Sequence, residues 1–191
     1  MGDNCIWHLR QVCGMYVWSM NNVVRLDTMM EFSSEDIERA IDTAMRKAEV
    51  KELKKEQRGT IHEFVSGRDV FVSLPTGYGK SFCYALLLAV FDELRGSIGT
   101  SIVICVSPLT ALMMEQRNKF IMRGIATEFV GELQQDVDAM ESVKSGKIQL
   151  LFISPESLLN NPQWREMLIS PVYQTNLVAL VIDEAHCIIQ W

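Results

Sequence analysis

The sequence predicts an α/β domain with a mostly parallel sheet, and three observations predict it. Val70-Phe71-Val72-Ser73-Leu74 is a short run rich in β-branched and aromatic side chains, followed by the loop Pro75-Thr76-Gly77-Tyr78-Gly79-Lys80-Ser81 and an apolar helix over 81–90. Four later apolar strands alternate with helical stretches, which implies right-handed crossovers and a sheet covered on both faces. The last of them, Val178-Ala179-Leu180-Val181-Ile182, ends in Asp183-Glu184-Ala185-His186. Carboxylates there lie at the carboxyl edge of a buried parallel strand, where α/β domains hold ligands.

Each element has its own warrant. Ser33, with Asp36 three residues on, forms a capping box, and Ile37, Ala40, Ile41, Ala44 and Ala48 recur at helical spacing, so a helix is expected over about 35–48. The charged stretch Lys51 to Arg58 reads by composition as a solvated helix face leading to Ile61, Phe64 and Val65, with Gly67 as its cap. Beyond the glycine loop, strands are expected at 101–106, 127–130, 148–153 and 177–182. Helices are expected at 109–123 (closed by Gly124) and 134–145, with a short helical piece around 164–168. There is no internal repeat and no low-complexity tract.

The strand, glycine loop and helix form a phosphate cradle. Gly77 and Gly79 let backbone N–H groups turn inward, the helix start adds its dipole, Lys80 reaches terminal phosphates, and the Ser81 hydroxyl can bind magnesium. The common pattern has glycine where Leu74 stands, so the match is to a Pro-Thr-Gly-x-Gly-Lys-Ser variant. Gly-x-Gly-Lys-Ser also occurs in plain turns; the flanking strand and helix are what set this one apart. Asp183 would share the magnesium with Ser81, and Glu184 would orient a water for in-line attack on a γ-phosphate. An Asp-Glu pair can merely end a strand at the surface; here it follows five apolar residues and an upstream phosphate loop.

Composition narrows the classes. A chain of 191 residues, 48% apolar, accommodates one core. Its net charge of -6 gives no general attraction to nucleic acid, so such binding must come from a local patch. The 5 cysteines are odd in number, widely spaced and without a Cys-x-x-Cys pair, which fits a reducing interior. No run of 18 apolar residues exists to span a membrane. Residues 12–20 could pass as a short signal core but have a poor positive flank, so residues 1–29 are read as a poorly ordered leader, with Met30 as an alternative start.

Pro75 to Ser81 together with Asp183-Glu184-Ala185-His186-Cys187 resembles a RecQ-type DNA helicase of superfamily two, specifically its first RecA-like domain. Val106-Ser107-Pro108-Leu109 is similar to helicase motif Ia and Ser154-Pro155-Glu156 to motif Ib. Gln57 stands where the family's adenine-reading glutamine stands, and Cys187 to Trp191 resembles the start of the aromatic-rich loop. Three positions depart from the family: Val50 for a tyrosine, Leu53 for a phenylalanine and Lys54 for an arginine. Neither valine nor lysine stacks on a base as those residues do, which implies looser base selectivity, with Gln57 still offering a donor and an acceptor.

The resemblance implies a RecA-like P-loop NTPase fold of three layers, an N-terminal helical segment over 30–67 and an ATP-binding domain over 68–191, incomplete at the C-terminus. It implies ATP and Mg2+ as cofactors, single-stranded or forked DNA as the partner, and 3′-to-5′ DNA unwinding in repair and recombination. Gln57, Thr76, Gly77, Tyr78, Gly79, Lys80 and Ser81 would bind nucleotide, and Ser81 and Asp183 the metal. Lys80, Asp183, Glu184 and His186 would be catalytic, and Ser107, Pro108, Ser154, Pro155 and Trp191 would meet nucleic acid. It places the protein in the nucleus or cytoplasm, the nucleus favoured, and makes a second, arginine-bearing RecA-like domain the partner this chain lacks. An RNA helicase of the DEAD/DEAH group and a stand-alone nucleotide-binding module are the alternatives. In such domains the strand ending in motif III separates the phosphate-loop strand from the acidic strand. The expectation is therefore a slot between residues 70–74 and 178–182, roughly 9–10 Å wide with no protein ladder in it.

Overall fold

The structure, a computed structural model, describes the backbone of residues 14–19 and, in full, residues 32–75, 77–131 and 136–184. Six strands form among them: β1 (Gly14–Ser19), β2 (Val70–Ser73), β3 (Ile102–Val106), β4 (Thr127–Val130), β5 (Leu150–Ile153) and β6 (Leu177–Ile182). The helices are α1 (Ser34–Lys47), α2 (Lys55–Val65), α3 (Lys80–Arg95), α4 (Thr110–Ile121), α5 (Val137–Lys144), α6 (Pro155–Asn160), α7 (Pro162–Ile169) and α8 (Pro171–Asn176). They make one sheet in the order β2-β1-β6-β3-β5-β4. β6, β3, β5 and β4 run parallel, as the apolar strands predict.

These strands are apolar throughout because both their faces are buried. Val103 and Cys105 of β3 join one core with Phe152 of β5 and Ala179 and Val181 of β6, covered by α1, α2, α3 and the Met113 and Phe120 positions of α4. Ile102, Ile104 and Val106 join the other, with Leu151, Ile153, Val143 of α5, Trp164 and Met167 of α7 and Tyr173 of α8. The first core is centred on the rings of Tyr84, Phe120 and Phe152, whose centroids lie 6.3–6.4 Å apart. Burying each such ring is worth roughly 1.5–3 kcal/mol.

α1 begins where its cap predicts, with the Ser33 hydroxyl accepting from the Asp36 N–H at 3.1 Å. The charged stretch before Phe64 is not simply a solvated face. Arg58 of α2 reaches Glu38 at 2.8 Å through Nε and Asp42 at 2.6 Å through Nη2, clamping α2 to α1. α6 and α8 go beyond the predicted elements. Both start on proline, and Ser154 caps α6 by accepting from the Ser157 N–H at 3.1 Å.

The expected slot is filled. β2 and β6 do not pair with each other, but Gly14–Ser19 lies between them, antiparallel to both. Val17 stands opposite Val70 on one side and Val181 on the other. The open ladders of β6 and β2 leave several N–H and C=O groups to satisfy, at about 1–3 kcal/mol for each that is buried, and any extended segment that reaches them can do so. Met15-Tyr16-Val17-Trp18 carries the aromatic and β-branched residues that suit a strand, so the reading of this stretch as part of a poorly ordered leader is corrected. Residues 1–13 and 20–31 lie outside the described residues.

Candidate functional site

The loop after β2 has the backbone its glycines allow. Gly77 and Gly79 sit at φ +79° and +92°, in the left-handed region, and Gly79 is the N-cap of the 16-residue helix α3. The Lys80 ammonium crosses back over the loop to donate to the Leu74 carbonyl at 3.0 Å. Behind the loop stands Gln57, buried at the start of α2. Its Nε2 donates to the carbonyls of Tyr78 at 3.2 Å and Gly79 at 3.3 Å, and its Oε1 accepts from the Lys54 N–H at 3.0 Å. A Cβ added at Gly79 would stand 2.7 Å from Gln57 Nε2, whereas one at Gly77 would meet nothing within 4 Å.

Tyr78, the variable residue of the loop, is held from outside. The Lys54 ammonium lies 3.5 Å from the centre of its ring, and its hydroxyl donates to Glu56 at 3.0 Å. That bond raises the Tyr78 phenol above its ordinary pKa. Glu56 is lowered, first by its own backbone N–H and then by Tyr78.

At the end of β6, the Asp183 N–H donates to the Val106 carbonyl at 2.9 Å, extending the parallel ladder one residue past the strand. Its carboxylate accepts from the Glu184 N–H at 3.0 Å, and Glu184 sits at φ +52°. A non-glycine residue in the left-handed region costs of order 1–3 kcal/mol, a strain found where a side chain must be aimed. Between the two halves stands Tyr84, one helical turn after Lys80. Its hydroxyl is buried without a hydrogen-bond partner among the described residues. Burial pushes its pKa well above the ordinary phenol value, and the neighbouring Cys105 and Asp183 push the same way. Ser81 and Cys105 are close enough to influence that proton, but neither meets hydrogen-bond geometry. Cys105 is itself raised by burial and then by the charge of Asp183. Ser81, Tyr84, Cys105 and Asp183 thus share one electrostatic neighbourhood.

Gln57, Gly77, Tyr78, Gly79, Lys80 and Ser81 therefore come together around one loop, with Asp183 and Glu184 at the same edge of the sheet. Thr76, His186 and Trp191 lie outside the described residues. Ser107 follows β3 and is buried, its hydroxyl unpartnered among the described residues. Pro108 is half-buried beside it. Ser154 is 6% exposed and its hydroxyl is engaged in capping α6, while Pro155 is buried as that helix's first residue. Sequence reasoning missed Tyr84 and the Lys54–Tyr78–Glu56 contact. The one signal for Tyr84 was a phenol set among the apolar residues of a helix, four positions after Lys80.

The DEAD/DEAH box helicase family profile matches residues 54–191. The ATP-dependent DNA helicase RecQ of Haemophilus influenzae is 32% identical over 142 residues, 73% of this chain and 21% of that protein. The ATP-dependent DNA helicase hus2/rqh1 of Schizosaccharomyces pombe is 32% identical over 151 residues, 76% of this chain and 11% of that protein. The ATP-dependent helicase SGS1 of Saccharomyces cerevisiae is 33% identical over 138 residues, 71% of this chain and 9% of that protein. The chain thus spans about a fifth, or less, of the length of these curated relatives. In fold it is similar to the crystal structure of the DUF1998 helicase MrfA bound to DNA, with a TM-score of 0.53 at 19% identity over 75% of this chain and 20% of that one. The RecQ resemblance is borne out by these relatives, and with its loop, acidic strand end and parallel sheet in the expected order the chain belongs to the DEAD/DEAH box helicase family.

Proposed function

We propose that this chain is the ATP-binding part of a RecQ-like 3′-to-5′ DNA helicase that binds ATP with Mg2+ and, joined to a second RecA-like domain, engages single-stranded or forked DNA and couples hydrolysis to DNA unwinding. One observation supports the reading: β2 and β6 both run antiparallel to β1, so the glycine loop after β2 and Asp183 after β6 leave the sheet at the same edge. The residues fit a nucleotide and its metal. Gly77 and Gly79 hold the loop in the left-handed region, and the buried Tyr84 hydroxyl has no hydrogen bond of its own among the described residues.

Lys80 and the N–H groups at the start of α3 would hold the terminal phosphates, and Ser81 and Asp183 the metal. When bound, magnesium neutralises charge on the phosphate oxygens. Glu184, placed by its left-handed turn one residue beyond Asp183, would orient the attacking water, assisted by His186. Thr76 belongs to the same loop, and Ser107, Pro108, Ser154, Pro155 and Trp191 to the nucleic-acid side. Arginine from a second domain is worth ~10³ to 10⁵ in rate, so turnover belongs to the two domains together and this chain alone is expected to be inactive. A RecQ-like role in DNA repair or recombination fits the nucleus or the cytoplasm, with the nucleus favoured; among the described residues no helix is long and apolar enough to cross a membrane.

The test is Glu184→Gln in the full-length protein assayed with DNA. ATP turnover should fall by roughly 10²- to 10⁴-fold while MgATP affinity stays within about twofold, because the amide keeps the shape and loses the charge. Hydrolysis at the parent rate would assign the catalytic role to another residue.

A further inference from the structure

The Tyr84 hydroxyl is buried with no hydrogen-bond partner among the described residues, and it lies beneath the phosphate site. Tyr84 follows Ser81 by three positions and Lys80 by four on α3, so the three share one face of the helix. Its ring is 0% exposed and held between Phe152 and Phe120, each centroid 6.3 Å away. Turning a phenol about its own axis leaves the oxygen in place, so in this packed core the hydroxyl does not swing out to water. The acidic strand reaches the same place. Val181 of β6 pairs with Cys105 of β3, and both belong to the core that holds Tyr84. The Asp183 N–H continues that ladder to the Val106 carbonyl at 2.9 Å. By strand alternation Asp183, two positions beyond Val181, therefore faces the same side of the sheet as Tyr84. After burial itself, Cys105 and Asp183 are the groups that act most on the phenol.

We infer that Tyr84 is a positioning residue for the metal end of the nucleotide site: its hydroxyl donates to the Asp183 carboxylate when a magnesium nucleotide is bound, and so aims that carboxylate at the metal. The inference rests on the nucleotide-binding reading above and deepens it. A phenol keeps its proton at neutral pH and donates, and among the hydroxyl of Ser81, the thiol of Cys105 and the carboxylate of Asp183 the carboxylate is the strongest acceptor. The Glu184 N–H takes one carboxylate oxygen at 3.0 Å, and the lone pairs of the two oxygens suffice for a metal and a phenol besides. A donor of this kind fixes the orientation of a metal ligand, and its loss costs roughly 10- to 100-fold in metal affinity. Packing alone does not require the hydroxyl, since phenylalanine would fill the same space. A buried hydroxyl left without a bond destabilises the fold, and the bond to Asp183 in the loaded site offsets that cost.

Tyr84→Phe keeps the ring and removes only the hydroxyl. Calorimetric titration of the purified parent and variant chains with MgATP, and with ATP in excess EDTA, tests the inference alongside thermal melting without ligand. MgATP affinity should fall about tenfold or more in the variant, while metal-free ATP binds within about twofold of the parent. The variant should melt at or above the parent midpoint, because it loses an unpaired buried polar group. A merely structural hydroxyl would instead lower the midpoint and move the two affinities together. A smaller loss with MgATP, an equal loss in EDTA or a lowered midpoint would each overturn the inference and leave the nucleotide site standing. Failure of the parent chain to bind MgATP would overturn the nucleotide-binding reading and this inference with it.

Discussion

The two halves of the sheet are built on different rules. In β6, β3, β5 and β4 the strands run parallel, are buried on both faces for nearly their whole length and follow one another through helical crossovers. In the other half, β2 stands at the sheet edge with Val72 buried and Phe71 47% exposed, and its one neighbour among the described residues is the antiparallel β1, drawn from more than 50 positions earlier in the chain. The first half buries its strands on both faces, and the second is tied in through the ladder that β1 makes with β2 and β6. The site draws on both: its acidic end belongs to the packed half and its glycine loop to the laddered one.

This contrast can be broken or sharpened by perturbing each half in turn. Phe152, 1% exposed between the Tyr84 and Phe120 rings, is a packing residue of the parallel half. Phe152→Ala should lower the unfolding free energy by about 3–5 kcal/mol in urea titrations; a loss under about 1 kcal/mol would mean the core is not where packing stabilises the fold. Val17→Pro removes a backbone donor from the strand paired with both β2 and β6, at an expected cost of about 1–3 kcal/mol. An unchanged midpoint would show that β1 adds nothing to the ladder.

The smallest effect is one of pH. Burial raises the Cys83 thiol on α3 to about 12. The unfolded chain releases that proton near ~8.5, so between there and about 12 the folded state binds more protons than the unfolded one. Stability is therefore complete below about pH 8.5 and falls as pH rises through that window, by at most ~1.4 kcal/mol per pH unit for this group. Cys105, Tyr84 and Tyr173, also raised by burial, add in the same sense. Cys83→Ala should flatten part of the decline in thermal midpoint measured from pH 8 to 10, and a slope indifferent to the substitution would exclude Cys83 from it.

The parallel half was legible because burial on both faces leaves its mark on every residue of a strand: Ile102 to Val106 and Leu177 to Ile182 are apolar with hardly a break. The loop was legible because Gly77 and Gly79 take left-handed backbone that other residues rarely adopt and stand directly before Lys80 and Ser81. β1 was not, because pairing depends on which ladder stands open in three dimensions, and residues 14–19 carry no mark of a partner more than 50 positions away. Arg58 looked solvated because composition does not show that Glu38 and Asp42 lie one turn apart on the facing helix. Gln57 shows the limit of motif reading: its identity was clear, but its partners, the carbonyls of Tyr78 and Gly79, are set by how closely α2 approaches the loop.

The central claim is that the loop from Gly77 to Ser81 is a phosphate site centred on Lys80, and titration of MgATP into the parent chain and Lys80→Ala tests it most directly. Charge-assisted hydrogen bonds are worth ~1.5–3 kcal/mol each, so the account predicts an affinity at least tenfold weaker in the variant, with the same thermal midpoint in the absence of nucleotide. Equal dissociation constants for the two proteins would contradict it.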